Sequence, residues 1–245
     1  MPDIYKHGCE NFKKITALFV LQVILGILPV ILLLIYIGFD LFKYPVIGYI
    51  FIAVILIAAI SNITVAKRYN VLLSGFRGEK ALMKTVRKLG SEYMVFSNLP
   101  IRYKKNRSEI DLLIISPTYL LIIEVKNHSG YISGKHKDDK WIQRKVYKDG
   151  KTTETEMQNP LRQMRRQRDI VKSILQANDL DQWIETVLYF SSNSVHLYLD
   201  LYDSDNVCSS EKELLQFLRT YNPPRKADPE KLEKIKQLFM EMHEN

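Results

Sequence analysis

An α/β domain preceded by a membrane-spanning helical hairpin is the fold class this sequence predicts, and three features predict it. Residues 15–39 and 44–66 contain no charged side chain. Each run exceeds the roughly 20 apolar residues needed to cross a hydrocarbon core about 30 Å thick. Beyond residue 74, short runs rich in Val, Ile and Leu alternate with stretches of helical periodicity, the pattern of one layered α/β domain. Among those runs stand Asp111, Glu124 and Lys126, ionisable side chains in otherwise apolar sequence.

The chain has 245 residues, a formal charge of +8 and 47% hydrophobic residues concentrated near its start. That balance suits a membrane segment plus one soluble domain rather than two globular domains. The expected division is an anchor at 1–73, a domain at 74–220 and a helical extension at 221–245. Cys9 and Cys208 are the only cysteines, so neither a disulfide framework nor a zinc cluster is supported, and a reducing compartment fits. Cys9 lies close enough to the first span for acylation, but an unmodified thiol is favoured.

The spans are expected at about 15–37 and 46–66. Gly26 and Pro29 are tolerable in a membrane helix, and Gln22 is a mild polar interruption able to face the partner helix. The linker 38–45 is too short for anything except a helical hairpin. Lys6, Lys13 and Lys14 precede the first span and Lys67, Arg68 and Arg77 follow the second, whereas the linker balances Lys43 with Asp40. The positive-inside rule then places both termini and the soluble domain in the cytoplasm, with the hairpin integral to the cell membrane. A cleavable signal peptide is not expected, because the apolar run is too long and no small-residue cleavage site follows it.

The soluble part opens with an amphipathic helix over 77–89, whose Leu82, Val86 and Leu89 share a stripe. Glu79 lies in its first turn, where the helix dipole alone favours an acid. A strand over 93–101 leads into Arg102, Lys104, Lys105 and Arg107. Such a run is either a solvated face or the edge of a polyanion-binding cleft.

Residues 112–115 and 119–123, separated by Ser116, Pro117 and Thr118, predict two strands joined by a tight turn and buried on both faces. Along the second strand Glu124 and Lys126 share a face with Ile122. Hairpin pairing brings Asp111 beside Glu124. Carboxylates that close repel unless a cation lies between them, and hard oxygen ligands suit Mg²⁺ or Mn²⁺. The competing reading is a surface hairpin with a solvated Glu124–Lys126 pair worth under about 1 kcal/mol.

Residues 130–147 predict a turn near Gly134 and a strand over 141–147, with Trp141 as a packing residue. Asn159 and Pro160 start a helix as N-cap and first residue, and it runs to about Gln176. Leu161, Met164, Val171, Ile174 and Leu175 form its buried stripe, while Arg162, Arg165, Arg166 and Arg168 lie elsewhere around it. Gln163 and Gln167 share a face one turn apart, and spacing alone reads them as surface glutamines. Strands follow at 186–191 and 195–199 and a helix at 211–219. Asp228 and Pro229 cap a final helix whose Leu232, Ile235, Phe239 and Met242 either dock on the domain or meet a partner helix, docking being preferred. No Walker loop, G-x-S-x-G element or paired-histidine spacing is present. His7, His128, His136, His196 and His243 are scattered, and none is assigned as a ligand.

The order Gly78-Glu79, Glu109-Ile110-Asp111, Ile123-Glu124-Val125-Lys126-Asn127 with Gly130, Trp141 and Asn159-Pro160-Leu161-x-Gln163 resembles the nuclease-related domain, a branch of the PD-(D/E)XK nuclease-like superfamily. The resemblance covers about 75–175. It implies a restriction-endonuclease-like mixed sheet flanked by helices, with Glu79, Asp111, Glu124, Lys126 and Gln163 gathered at one site. It further implies that Asp111 and Glu124 hold Mg²⁺ or Mn²⁺ and that Lys126 orients or activates water for attack on phosphate. Glu109 and Thr118 depart from the family pattern, which often has glutamine and glycine there, and Glu109 adds a carboxylate on the Asp111 face.

The expected function is therefore a membrane-anchored, metal-dependent nuclease hydrolysing nucleic-acid phosphodiesters on the cytoplasmic side, with DNA favoured over RNA by the resemblance. Arg102, Lys104, Lys105, Arg107, Arg165 and Arg166 are its candidate nucleic-acid contacts, and the bilayer and a protein bound through the C-terminal helix are its other candidate partners. The alternative is a non-catalytic, membrane-tethered module that binds nucleic acid or protein on the same scaffold. Transport by the hairpin is disfavoured, since neither span contains an ionisable residue.

Overall fold

The computed structural model describes residues 1–6, 10–225 and 227–244. His7 and Cys9 lie outside them. The chain forms two compact units, one of residues 9–76 and one of residues 1–8 with 77–245.

The first unit is an antiparallel helical hairpin. Helix α1 spans Glu10–Gly38, a 3-10 turn spans Leu41–Lys43, and α2 starts at Pro45. Phe19 packs on Tyr69 with ring centroids 6.0 Å apart, and Tyr36 on Phe51 at 5.4 Å. Both helices are long and apolar enough to cross a membrane. Their apolar side chains are largely exposed, Leu34 and Val46 among them, so they are not the core of a soluble fold. Gln22 turns inward, its Oε1 buried without a hydrogen-bond partner.

Helix α2 does not end with the second apolar run. It continues unbroken to Val86, so the span and the amphipathic helix expected over 77–89 are one element. Nothing in 66–77 can stop it: that stretch has no proline, and an internal glycine such as Gly75 costs only about 1 kcal/mol.

In the second unit a six-stranded sheet runs in the order β1-β2-β3-β4-β8-β10, where β1 is Asp3–Lys6, β2 Met94–Tyr103, β3 Asn106–Ile115, β4 Leu120–Lys126, β8 Ile184–Phe190 and β10 Asn206–Cys208. The β2–β3 and β3–β4 pairs are antiparallel and the β1–β2, β4–β8 and β8–β10 pairs parallel, so the sheet is mixed. In β3 and β4, Leu113, Ile115, Leu120 and Ile122 face one layer, holding α3 (Pro160–Ala177) and α5 (Pro229–Glu244). Leu112, Ile114, Leu121 and Ile123 face the other, made by the end of α2 and by α4 (Glu211–Thr220). Two buried faces explain why these strands lack polar alternation.

A second, four-stranded sheet, β7-β6-β5-β9, is formed by β5 (Gly130–Lys135), β6 (Lys140–Val146), β7 (Thr152–Gln158) and β9 (Val195–Asp200). Its inner face puts Ile132 and the fully buried Trp141 against Leu161 and Met164 of α3, confirming Trp141 as a packing residue. Gly130 opens this sheet at φ 83°, and a Cβ there would sit 2.5 Å from the Arg144 carbonyl oxygen. The C-terminal helix docks on its own domain: Leu232, Ile235 and Phe239 are buried in the α3-side core, which leaves that stripe no free face for a partner helix.

Candidate functional site

The sheet delivers its charged residues at the open end of β3 and β4. The ladder pairs Leu112 with Ile123, and one step further along the same register Asp111 falls opposite Glu124. Both side chains point to the α3 layer, with Leu113 and Ile122. Asp111 interrupts the ladder: its Oδ2 accepts from the Val125 amide at 2.8 Å. On the other flank Asn98 takes φ 53° and makes no ladder pair with Asp111. Asparagine tolerates that left-handed conformation, and its side-chain amide donates to Glu79 Oε2 at 3.2 Å.

Around Glu124 the contacts form one network. Lys126 Nζ lies 2.6 Å from Glu124 Oε1, the two side chains being 22% and 2% exposed. Lys126 Nζ also donates to Gln163 Oε1 at 3.1 Å, and Gln163 Nε2 donates to Glu124 Oε2 at 2.8 Å, closing a ring of three side chains. Gln167, fully buried, donates to the same Oε2 at 2.9 Å and to the Glu109 carbonyl at 2.8 Å. Neither glutamine is a surface residue of the ordinary kind. Helix α3 can present both because Asn159 caps it, accepting from the Leu161 amide at 2.9 Å, with Pro160 at its first position.

Glu79 comes from the opposite layer through a close helix–sheet approach. A Cβ on the preceding Gly78 would meet Asn127 Cβ at 3.1 Å and Ser191 Oγ at 3.3 Å. Burial pushes the Asp111 carboxyl well above the usual carboxylate range, and the charge of Glu124 pushes it the same way, against the Val125 amide and Lys126, with Glu79 adding the smallest push. The structure therefore brings Glu79, Asp111, Glu124, Lys126 and Gln163 to one end of the sheet. Asn98 and Gln167 join the site without a pattern in the sequence that assigns them to it. The i, i+4 spacing of Gln167 to Gln163 was its one signal, and Asn98 had none. Glu109 serves through its carbonyl, and its side chain is exposed. Thr118 needs no glycine conformation, since the turn is closed by Ser116 Oγ accepting from the amides of Thr118 and Tyr119.

Among the described residues no group of three or more His, Cys, Asp or Glu side chains is arranged to hold a metal ion. The pair Asp111 and Glu124 nevertheless has the chemistry of a divalent-cation site: oxygen donors only, and a buried carboxyl whose repulsion by its neighbour a cation would relieve. Gln167 Oε1 adds a buried acceptor without a hydrogen-bond partner.

The cations expected to meet nucleic acid gather at the β2–β3 tip and on α3. Arg102 pairs with Arg107 across the hairpin, whose loop is Lys104 and Lys105. Arg166 Nη2 donates to the Arg107 carbonyl at 3.0 Å. Between tip and helix lies a concavity of ≈ 540 Å³ lined by residues including Tyr103, Asn106, Arg162, Arg165 and Arg166. Arg162 and Arg166 each precede a network glutamine in sequence, and so lie about 100° round α3 from Gln163 and Gln167.

Residues 74–191 match the family model described as the nuclease-related domain. Comparison with curated proteins and with solved structures returns no match.

Proposed function

Since residues 74–191 of this chain are a nuclease-related domain, we propose that it is a membrane-anchored, metal-dependent nuclease that hydrolyses nucleic-acid phosphodiesters, DNA before RNA, on the cytoplasmic side of the cell membrane. The observation that carries the reading is the pair of buried Glu124 and half-buried Lys126, ringed by Gln163 and Gln167 and set against Asp111. Removing such charges from water costs several kcal/mol per ion. Chemistry at a charged phosphate gives that cost a use.

Asp111 and Glu124 would hold Mg²⁺ or Mn²⁺, which when bound supplies Lewis-acid polarisation of the phosphate and a more acidic water. Lys126 presents an ammonium to the negative charge that develops on the phosphoryl oxygens, without competing for the cation. Gln163 fixes that ammonium and the Glu124 carboxylate in one geometry. Glu79, steadied by Asn98, adds negative charge beside Asp111. The cations of the hairpin tip and Arg165 and Arg166 supply the sequence-independent attraction for a polyanion.

The membrane part of the proposal draws support from β1. It precedes α1, yet pairs with β2 from Asp3 opposite Met94 to Lys6 opposite Ser97, so the chain before the hairpin and the domain after it share one side. Two crossings satisfy that requirement, and the cations at 13–14 and 67–68 favour the cytoplasm as that side.

A specific observation favours the second reading, a binding module without hydrolysis. Glu124 already has one oxygen on Lys126 and the other on Gln163 and Gln167, so a cation finds only the second lone pair of Oε1, beside the Lys126 ammonium, unless it displaces one of them. The full chain, purified in a neutral detergent and incubated with linear DNA, is expected to cleave with Mg²⁺ or Mn²⁺ and to stop when Lys126→Ala is introduced. Cleavage that survives chelator, or is unchanged in that variant, overturns the proposal. Steeply salt-dependent DNA binding with no cleavage under either metal selects the binding module.

A further inference from the structure

Helices α1 and α2 meet in a definite register. A Cβ on Gly26 would lie 3.6 Å from Asn62, Phe19 packs on Tyr69, and Phe12 packs on Phe76 at 6.2 Å. All three pairs belong to one antiparallel register, each step forward along α1 matching one step back along α2. Lys67 and Arg68 are therefore level with Leu21 and Val20. At about 1.5 Å per residue they lie about 10 Å deeper along the hairpin than Lys14.

The cation-free stretch thus ends at different levels on the two helices. Over that band α1 offers Ala17, Leu18 and an exposed Phe19 and Val20, while α2 offers Lys67 and Arg68. A headgroup layer is of similar thickness, on the order of 5–8 Å per leaflet. In the band an open groove of ≈ 640 Å³ runs between the helices, lined by Lys14, Ala17, Leu18, Lys67, Arg68, Val71 and Leu72. The hollow's wall is apolar, and the stems of Lys14, Lys67 and Arg68 form part of it, so three cationic residues border it. At the opposite end of the hairpin, Lys43 is offset by Asp40 at 3.4 Å.

We propose that this concavity binds the headgroup of an anionic phospholipid, its phosphate set among Lys67, Arg68 and Lys14 and its glycerol and first methylenes against Ala17, Leu18 and Val71. The inference rests on the hairpin crossing a membrane. Charge complementarity and depth together select the occupant. A zwitterionic lipid brings its own ammonium to a border that already carries Lys14, Lys67 and Arg68, and a free phosphate has no apolar part to cover Leu18 and Val71. A lone snorkelling cation would need no hollow, whereas here the stems of three cationic residues form part of the wall of one.

The test uses the full chain in neutral detergent, with mass spectrometry of the intact protein and titration of dioleoyl phosphatidylglycerol, dioleoyl phosphatidylcholine or inorganic phosphate. Retention of phosphatidylglycerol over phosphatidylcholine is expected, with affinity falling roughly tenfold to thirtyfold in Lys67→Gln/Arg68→Gln, as about 1 kcal/mol per cation implies. Equal retention of the two lipids, or an unchanged preference in the double variant, overturns the site. Inorganic phosphate that competes as well as the lipid assigns the hollow to a free anion and overturns the lipid reading. Alkaline carbonate extraction separates the premises: a chain released from membranes overturns the anchor and the lipid site together, whereas a chain retained without lipid preference overturns only the latter.

Discussion

Lys126→Met gives the sharpest test of the charged network, because its effect on stability does not depend on any reaction. The ammonium sits 2.6 Å from a carboxylate whose side chain is 2% exposed. At an effective dielectric of about 20 the gross attraction is about 6 kcal/mol. Much of it is offset by desolvation, yet removing one partner of a buried pair still costs about 3–5 kcal/mol, since the other charge is stranded. Gln163 and Gln167 continue to donate to Glu124 in the variant, so the lower figure, about 3 kcal/mol, applies. For a domain of this size that lowers the melting temperature by roughly 6–12 °C. Adding Glu124→Gln is expected to restore at least half of the loss. The new amide can donate to Gln163 Oε1, the acceptor Lys126 vacates, while its oxygen still accepts from both glutamines. Thermal unfolding of the full chain in detergent, followed by circular dichroism, measures both steps. A Lys126→Met protein within about 1 kcal/mol of the parent would refute the buried pair, and so would a double variant whose losses simply add.

Asp111→Asn probes the neighbouring carboxyl through pH. Its folded pKa is raised by burial and by Glu124, so the folded state binds the proton more tightly than the unfolded one. The stability this confers is complete below the ordinary carboxylate range and is lost as pH rises through the raised value. The variant should therefore gain melting temperature on the parent as pH is taken from about 4 to 8, and lose metal-dependent cleavage throughout; a difference independent of pH sinks the argument. For Gln167, comparison of Gln167→Met with Gln167→Ala separates hydrogen bonding from volume. Losing the bonds at 2.9 and 2.8 Å costs about 2–4 kcal/mol in either variant, read as a lower urea midpoint, with alanine worse by its cavity. Near-parental stability of the methionine variant would mean that the bonds contribute nothing.

The elements that were legible are those whose own residues carry a strong local signal. Strands β3 and β4 announce themselves through runs of Leu and Ile, and α3 through its cap, its proline and its buried stripe. The elements that were not legible lack such a signal. Edge strand β7, read from Thr152–Gln158, is Thr and Glu with one packed side chain, Met157. Strand β1 has four residues and β10 three, too few for periodicity to register. Their pairing comes from outside their own stretch, β1 with β2 beyond the whole hairpin and β10 with β8 past the intervening β9.

The candidate site divides in the same way. The hairpin between residues 112 and 123 is a local structure, so the juxtaposition of Asp111 with Glu124 follows from alternation and a tight turn. The glutamines are another matter. Spacing says only that Gln163 and Gln167 share a face, and whether that face meets water or Glu124 depends on where α3 packs.

By itself the sequence determined the two apolar helices, the buried strands at the centre of the domain, the pairing of carboxylates across their turn and the capped helix that follows. All of these arise from interactions among residues close along the chain. Only the tertiary structure decided that α2 runs unbroken from the hairpin into the domain, that α5 covers its own core, that Asn98 reaches Glu79 and that Gln167 is buried against Glu124. Those outcomes depend on which surfaces exclude water against one another, a property of the packed layers that no single stretch of residues contains.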